Sequence, residues 1–318
     1  MELSSRTLNN VLGAFRGMLY ELQWLDIQSK AGAYYKVKNM VKNVAYPKWI
    51  FNNKYMDESY TELNLTAIDD SYTTSNKLLR FNTWKAIRSL TKPRNRTAFK
   101  LSPADVNAGY YEYLNSIVLS AAILQPPFFH PDWPMAFNYG KAGAIMAHEL
   151  THGFNNYGVL YDGNGFHNPF LDTSSMKNFN NMGDCVINEY NKICYPRLND
   201  SCINGVLTED ENIADNGGLN AAWRAYQNLM ALEGAEPRLP VPFSSYRMEQ
   251  IFFIAYGSLY CYNATTAGLI SLLNYDFYSP GDARVNGVLK NMPQFAQAFK
   301  CASNTAMAPK KHCHVWVN

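Results

Sequence analysis

Apolar residues recur at helical spacing from the start of the chain. Leu8, Val11, Leu12, Phe15, Met18, Leu19 and Leu22 fall on one face, which predicts a helix over Ser4–Leu25. Asp26 is placed to cap a second helix, which the pattern carries to just before Tyr46-Pro47, where a proline excludes the preceding residue from the α region. Asn52–Ile68 is polar and irregular and reads as loop. Helical spacing returns over Asp70–Thr91 and stops at Lys92-Pro93. The basic, turn-rich stretch Pro93 to Pro103 reads as a boundary, dividing the chain into 1–103 and 104–318. Tyr110–Val118 suits a hairpin or edge strands. Further helices are expected over Lys141–Phe154, Thr173–Lys192, Ile213–Leu232, Ser245–Tyr262 and Asn291–Phe299. A Gly- and Asn-rich loop, Asn155–Asn168, and a proline-marked loop, Pro237–Pro242, lie between them. The pattern is predominantly α with a small β-sheet, and it contains no repeats.

The helix over Lys141–Phe154 carries His148-Glu149-Leu150-Thr151-His152. Histidines four residues apart project from the same helix face, so both imidazoles can reach one zinc ion, with Glu149 beside it as a general base. A catalytic zinc takes three protein ligands and leaves one position open. Downstream, Glu211-Asn212-Ile213-Ala214-Asp215-Asn216-Gly217-Gly218 offers Glu211 as the third ligand. Asp215, one turn on, can accept a hydrogen bond from the distal nitrogen of His148 and fix its tautomer. The alternative reading of these acids is an exposed acidic helix start, stabilised by the helix dipole.

Taken together, these two motifs closely resemble those of the neprilysin and endothelin-converting-enzyme family of zinc metallopeptidases. Val106-Asn107-Ala108, Ile123-Leu124-Gln125-Pro126-Pro127-Phe128-Phe129, Ser279-Pro280, Arg284-Val285 and Cys313-His314-Val315-Trp316 follow the family's order. The resemblance runs from about Leu8 to the C-terminus. It implies a thermolysin-like zinc peptidase (gluzincin) catalytic lobe holding one Zn²⁺ per chain and acting on peptides. Residues 1–103 resemble only the tail of the large N-terminal helical lobe that family members close over the catalytic lobe. That lobe is an expected partner.

The resemblance also implies roles. Asn107 and Ala108 hold the substrate backbone, and Arg284 grips the carbonyl beyond the scissile bond. Ile123, Phe128, Ile145 and Tyr260 line an apolar pocket for the residue after the cut. The residues alone leave alternatives open: Arg284 as a salt-bridge partner, and the apolar four as ordinary core. Three departures stand out. Tyr278 occupies the position of an oxyanion-stabilising histidine, and a phenol donates one hydrogen bond but carries no positive charge near neutral pH. Losing a donor of that kind typically costs about 10²–10³ in turnover. Asn155 and Asn156 replace paired aspartates after the zinc helix, and Leu119-Ser120-Ala121-Ala122 replaces Phe-Pro-Ala-Gly. Two functions follow: a zinc endopeptidase cleaving on the amino side of apolar residues, or a catalytically weak zinc-binding relative serving as a peptide-binding module.

Composition narrows the setting. The 318 residues are 47% hydrophobic with a formal net charge of +2, enough for a sizeable core and no electrostatic case for nucleic acid or anionic membrane. The longest apolar run, around Ile117–Leu124, is broken by Ser120 and is too short to span a bilayer. The opening Met-Glu-Leu-Ser-Ser-Arg-Thr lacks a signal-peptide profile. Asn64, Asn95, Asn199 and Asn263 nevertheless head glycosylation tripeptides, and six cysteines are present. Cys194 and Cys202 bracket a short polar loop and are expected to bridge. The resemblance pairs Cys185 with Cys313 and leaves Cys261 and Cys301 with partners in the N-terminal lobe, unless they find each other. The expectation is an extracellular or cell-surface ectodomain, as a fragment or truncated form of a longer secretory-pathway protein.

Overall fold

The computed structural model describes all residues 1–318. Its first elements are α1 (Glu2–Glu21), α2 (Ile27–Lys38) and β1 (Val41–Ala45). Asp26 caps α2, its carboxylate accepting from the amides of Gln28 and Ser29. The helix is shorter than expected because Val41–Ala45 leaves it to pair in parallel with a strand seventy-five residues later in the chain, Val41 opposite Ser116. No local periodicity signals such a partner. The segment expected as loop holds a short helix, α3 (Asn53–Tyr60), capped by Asn52 and burying none of its residues. After α4 (Ser71–Ser89), β2 (Ala108–Tyr111) and β3 (Ser116–Ser120) pair antiparallel, the hairpin of the two arrangements expected over Tyr110–Val118. The sheet order is β1-β3-β2, so β2 keeps one free edge.

The remainder is helical. α5 (Met135–Asn138) runs through a π-helical stretch, Tyr139–Gly143, into α6 (Ala144–His152). α7 (Thr173–Tyr190) precedes a two-stranded ribbon, β4 (Cys194–Tyr195) with β5 (Ser201–Cys202), closed by the Cys194–Cys202 disulfide. α8 (Glu209–Glu233) starts four residues before the expected Ile213 because its first turn is Glu209, Asp210 and Glu211, acids that favour a helix N-terminus. α9 (Met248–Leu259), α10 (Thr266–Tyr275), α11 (Gly281–Leu289) and α12 (Pro293–Phe299) complete the order; α10 and α11 were not anticipated. Cys185 and Cys313 are bonded, whereas Cys261 and Cys301 are both free.

One apolar core takes in Leu8, Val11, Phe15 and Leu19 of α1, Ala147 and Leu150 of α6, Leu219 and Ala222 of α8, and Trp316. Trp316 sits among Phe15, Trp24, Phe154 and Phe179, with ring centroids 5.4–6.2 Å from its own. α1 thus packs directly on α6, which carries the histidines, and α2 packs on α1. No helix is long and apolar enough to cross a membrane.

Lys36 of α2 is the unusual member of this interior. It is fully buried and donates from Nζ to the carbonyls of Gly158 and Tyr161, with the rings of Tyr110, Phe154 and Phe170 around it. Burial pulls its pKa from 10.5 down to about 7, against the attraction of Glu112 and Asp162. Between those two values the unfolded chain binds this proton more tightly than the folded one. Its contribution to stability therefore rises with pH through that window, by at most about 1.4 kcal/mol per pH unit. In urea unfolding, the wild type is expected to gain on Lys36→Met between pH 7 and pH 9. A constant difference would mean that the ammonium keeps its ordinary pKa.

Candidate active site

α6 and α8 lie against each other through two glycines. A Cβ on Gly218 would fall 2.8 Å from the backbone nitrogen of His148, and one on Gly217 would fall 2.9 Å from Thr151 Cγ2. Only residues without a side chain allow this approach. It brings Glu211, in the first turn of α8, to the histidines of α6. Glu211 Oε2 lies 3.1 Å from His148 Nε2 and 3.5 Å from His152 Nε2, and the two Nε2 atoms are 2.9 Å apart.

The three groups fit a metal ion. Each offers one ligand atom, and all three atoms lie within 4.8 Å of one another. Glu211 Oε2 is buried without a hydrogen-bond partner despite two nitrogens so near. Two imidazoles with one carboxylate are a zinc-type donor set. The surroundings stabilise positive charge here: burial opposes it, but the hydrogen bond that His148 makes to Asp215 and the negative charges of Asp215 and Glu211 push its pKa up.

Behind His148 stands a buried chain of charge. His148 Nδ1 lies 2.8 Å from Asp215 Oδ1, the contact anticipated from the spacing of the two motifs. Asp215 also receives Arg284, from Nε at 2.6 Å and Nη2 at 2.7 Å, and the hydroxyl of Tyr260 at 3.3 Å. The Arg284 guanidinium lies between two rings, 4.5 Å from the centroid of Tyr260 and 4.7 Å from that of Tyr278. Burial pushes the Asp215 pKa upward, but the charge and hydrogen bonds of Arg284 outweigh it and hold the carboxyl below its usual range. Arg284 is therefore a salt-bridge partner in this structure, and a buried one.

Glu149 faces the other way, into a cleft of about 410 Å³ that it lines with Asn107, Ala108, His152, Glu211 and Tyr278. It is 8% exposed. Burial raises its pKa, opposed by the two neighbouring histidines, so its carboxylate is more basic than an ordinary surface glutamate. Tyr278 is 42% exposed at the rim. Burial and the negative charges of Glu211 and Glu149 push its phenol pKa up, so the hydroxyl keeps its proton and acts as a donor. The free edge of β2 begins at Ala108, beside this cleft.

The apolar four are placed differently. Tyr260 packs against Arg284, and neither residue lines the cleft. Ile123 is buried, while Phe128 and Ile145 are half-buried outside the cleft wall. Ile145 and His152 are the half-buried positions of α6, and Ile145 shares a helix face with Glu149 four residues on. Two contributors stand out in the sequence only as departures from the family pattern. Ser120 donates to the carbonyls of Asp105 and Asn107 and so sets the start of β2. Asn155 contacts His152 directly, with Nδ2 3.0 Å from Nδ1; the sequence suggests only a lost charge there.

Comparisons with known proteins agree with this fold and donor set. The sequence profile of Peptidase family M13 matches residues 107–315. The chain is 37% identical to Neprilysin-11 of Caenorhabditis elegans over 311 residues, covering 98% of this chain and 36% of that protein. It is 40% identical to Neprilysin-1 of the same organism, covering 95% of this chain and 40% of that protein. Among solved structures, the zinc metalloprotease ZMP1 of Mycobacterium tuberculosis, in complex with an inhibitor, superposes with a TM-score of 0.86 at 30% identity. That match covers 98% of this chain and 46% of ZMP1. The fold and site define a zinc-dependent metallopeptidase class, and the chain belongs to Peptidase family M13. It spans about two fifths of the length of the curated relatives it matches.

Proposed function

We propose that this chain carries the catalytic apparatus of a zinc metalloendopeptidase that cleaves peptides on the amino side of apolar residues. The observation that carries this reading is Glu149, buried and raised in pKa, in one cleft with the converging His148, His152 and Glu211. Those three residues would hold the ion, which when bound supplies Lewis acidity toward water and a carbonyl oxygen. Glu149 takes the proton of the attacking water and returns it to the leaving amine. Asn107 and Ala108 hold an extended substrate at the free edge of β2, where unpaired backbone groups can add a strand. Arg284, tied to Asp215 through Nε and Nη2, offers Nη1 to a substrate carbonyl. Ile123, Phe128, Ile145 and Tyr260, which lie outside the wall of the Glu149 cleft, are the apolar pocket in this reading.

A peptide library digested by the zinc-loaded chain, with products sequenced by mass spectrometry, tests this reading. Cuts ahead of Phe and Leu are expected; cuts without apolar preference would remove the pocket assignment. Tyr278 favours the weaker reading, a peptide-binding module with little turnover, since its phenol is a neutral donor. Tyr278→Phe is expected to lower kcat by about 10²–10³ with folding unchanged. An unchanged kcat would show that the hydroxyl takes no part.

The larger setting is part of the proposal. Residues 104–318 act as the catalytic domain, and 1–103 as the tail of an N-terminal lobe supplied by a longer protein. The four glycosylation tripeptides support an extracellular or cell-surface location: Asn64, Asn95, Asn199 and Asn263 are all exposed. The two disulfides point the same way.

A further inference from the structure

We infer that Asn155 is a positioning residue that weakens the metal affinity of the centre, by holding His152 in the tautomer that presents a proton, rather than a lone pair, to the other ligands. The inference rests on the metal-binding reading of His148, His152 and Glu211. Asn155 is buried, and its two amide atoms are committed to opposite sides. Oδ1 accepts from the backbone nitrogens of Tyr157 at 3.1 Å and Gly158 at 2.8 Å. A backbone N–H can only donate, so these two contacts fix which amide atom is the oxygen. Nδ2 is then the atom 3.0 Å from His152 Nδ1, and an amide NH₂ can only donate. His152 Nδ1 therefore accepts, and in the neutral ring the proton sits on Nε2.

A metal ligand needs the lone pair at His152 Nε2, so the proton must move to Nδ1, where it meets the hydrogens of the Asn155 amide. Turning the amide over does not relieve this, because its NH₂ would then face the two backbone N–H groups of the following turn. Metal uptake gives up a hydrogen bond either way. The two ligand histidines are thus backed oppositely, His148 by a carboxylate that turns its lone pair toward the ion and His152 by a donor that turns its own away.

Asn155→Asp removes the conflict. One carboxylate oxygen can accept both backbone N–H groups while the other accepts a proton on His152 Nδ1. Chelator competition is expected to show zinc bound about 10–100-fold more tightly by Asn155→Asp than by wild type. Asn156→Asp, which adds the same charge one residue along, controls for electrostatics and is expected to give a much smaller gain. The ring ¹⁵N shifts of His152 in the metal-free proteins give a readout independent of folding energy or turnover. The proton is expected on Nε2 in wild type and on Nδ1 in Asn155→Asp. Equal affinities, an equal gain from Asn156→Asp, or a wild-type His152 already protonated on Nδ1 would each overturn the inference. Zinc uptake by none of the three proteins would overturn the metal-binding reading itself, and the inference with it. If Asn155→Asp does not fold, the wild-type ring shifts alone decide the tautomer.

Discussion

Glu149→Gln is expected to abolish peptide cleavage while the protein still binds zinc. Glutamine keeps the shape of the side chain but cannot accept a proton, and general-base catalysis of this kind contributes about 10²–10⁴ in rate. The residue lies outside the ligand set, so metal content should match wild type. Stability should hold or rise slightly, because burial already disfavours the charged carboxylate at this position. A quenched fluorescent peptide with Phe or Leu after the scissile bond, assayed beside metal analysis of each preparation, checks both halves. Cleavage above a tenth of the wild-type rate would remove Glu149 from the proton transfer.

Asp215→Asn is expected to damage the fold and the metal centre together. Asp215 joins the His148 ring to Arg284, and its side chain is 1% exposed against 14% for the arginine. Removing one partner of a buried pair leaves a desolvated charge, which typically costs about 3–5 kcal/mol. His148 also loses the acceptor that sets its tautomer, worth about 10–100-fold in metal affinity. Chemical denaturation and chelator competition read the two effects separately. A loss below about 1 kcal/mol would place Arg284 on solvent rather than on Asp215. The pair also has a pH signature. The folded carboxyl is held below its ordinary range, so its contribution is complete above the unfolded value near 3.9 and fades as pH falls through the folded value.

The parts of the site that were readable in the sequence are those fixed by helical spacing. His148, Glu149 and His152 share one turn of one helix, and Glu211 and Asp215 share another. For the first three that spacing is enough; Glu211 precedes the helix expected from Ile213 and is reached through its motif and the need for a third ligand. The unreadable parts depend on distant partners. β1 looks like the tail of α2 until β3 lies beside it. α10 and α11 are short and broken by turn residues, and α3 has no buried face to leave a pattern. Arg284 reads equally well as a substrate clamp or an ion-pair partner, because nothing near position 284 names Asp215. Ser120 and Asn155 act through hydrogen bonds to backbone and ring atoms, which residue type alone does not aim. The apolar pocket is the least legible part, since Ile123 and Phe128 look the same whether they face a substrate or the interior.

Gly217 and Gly218 allow α6 and α8 to meet almost backbone to backbone. A ligand residue can mutate and revert, and the cleft rim can drift toward new sequence preferences, without altering the scaffold. A methyl group on Gly218 would wedge the two helices apart and misplace every donor atom at once, and no exchange among the donors could restore the gap. Inheritance of this site therefore depends less on the residues proposed to hold the ion than on two positions where nothing may grow.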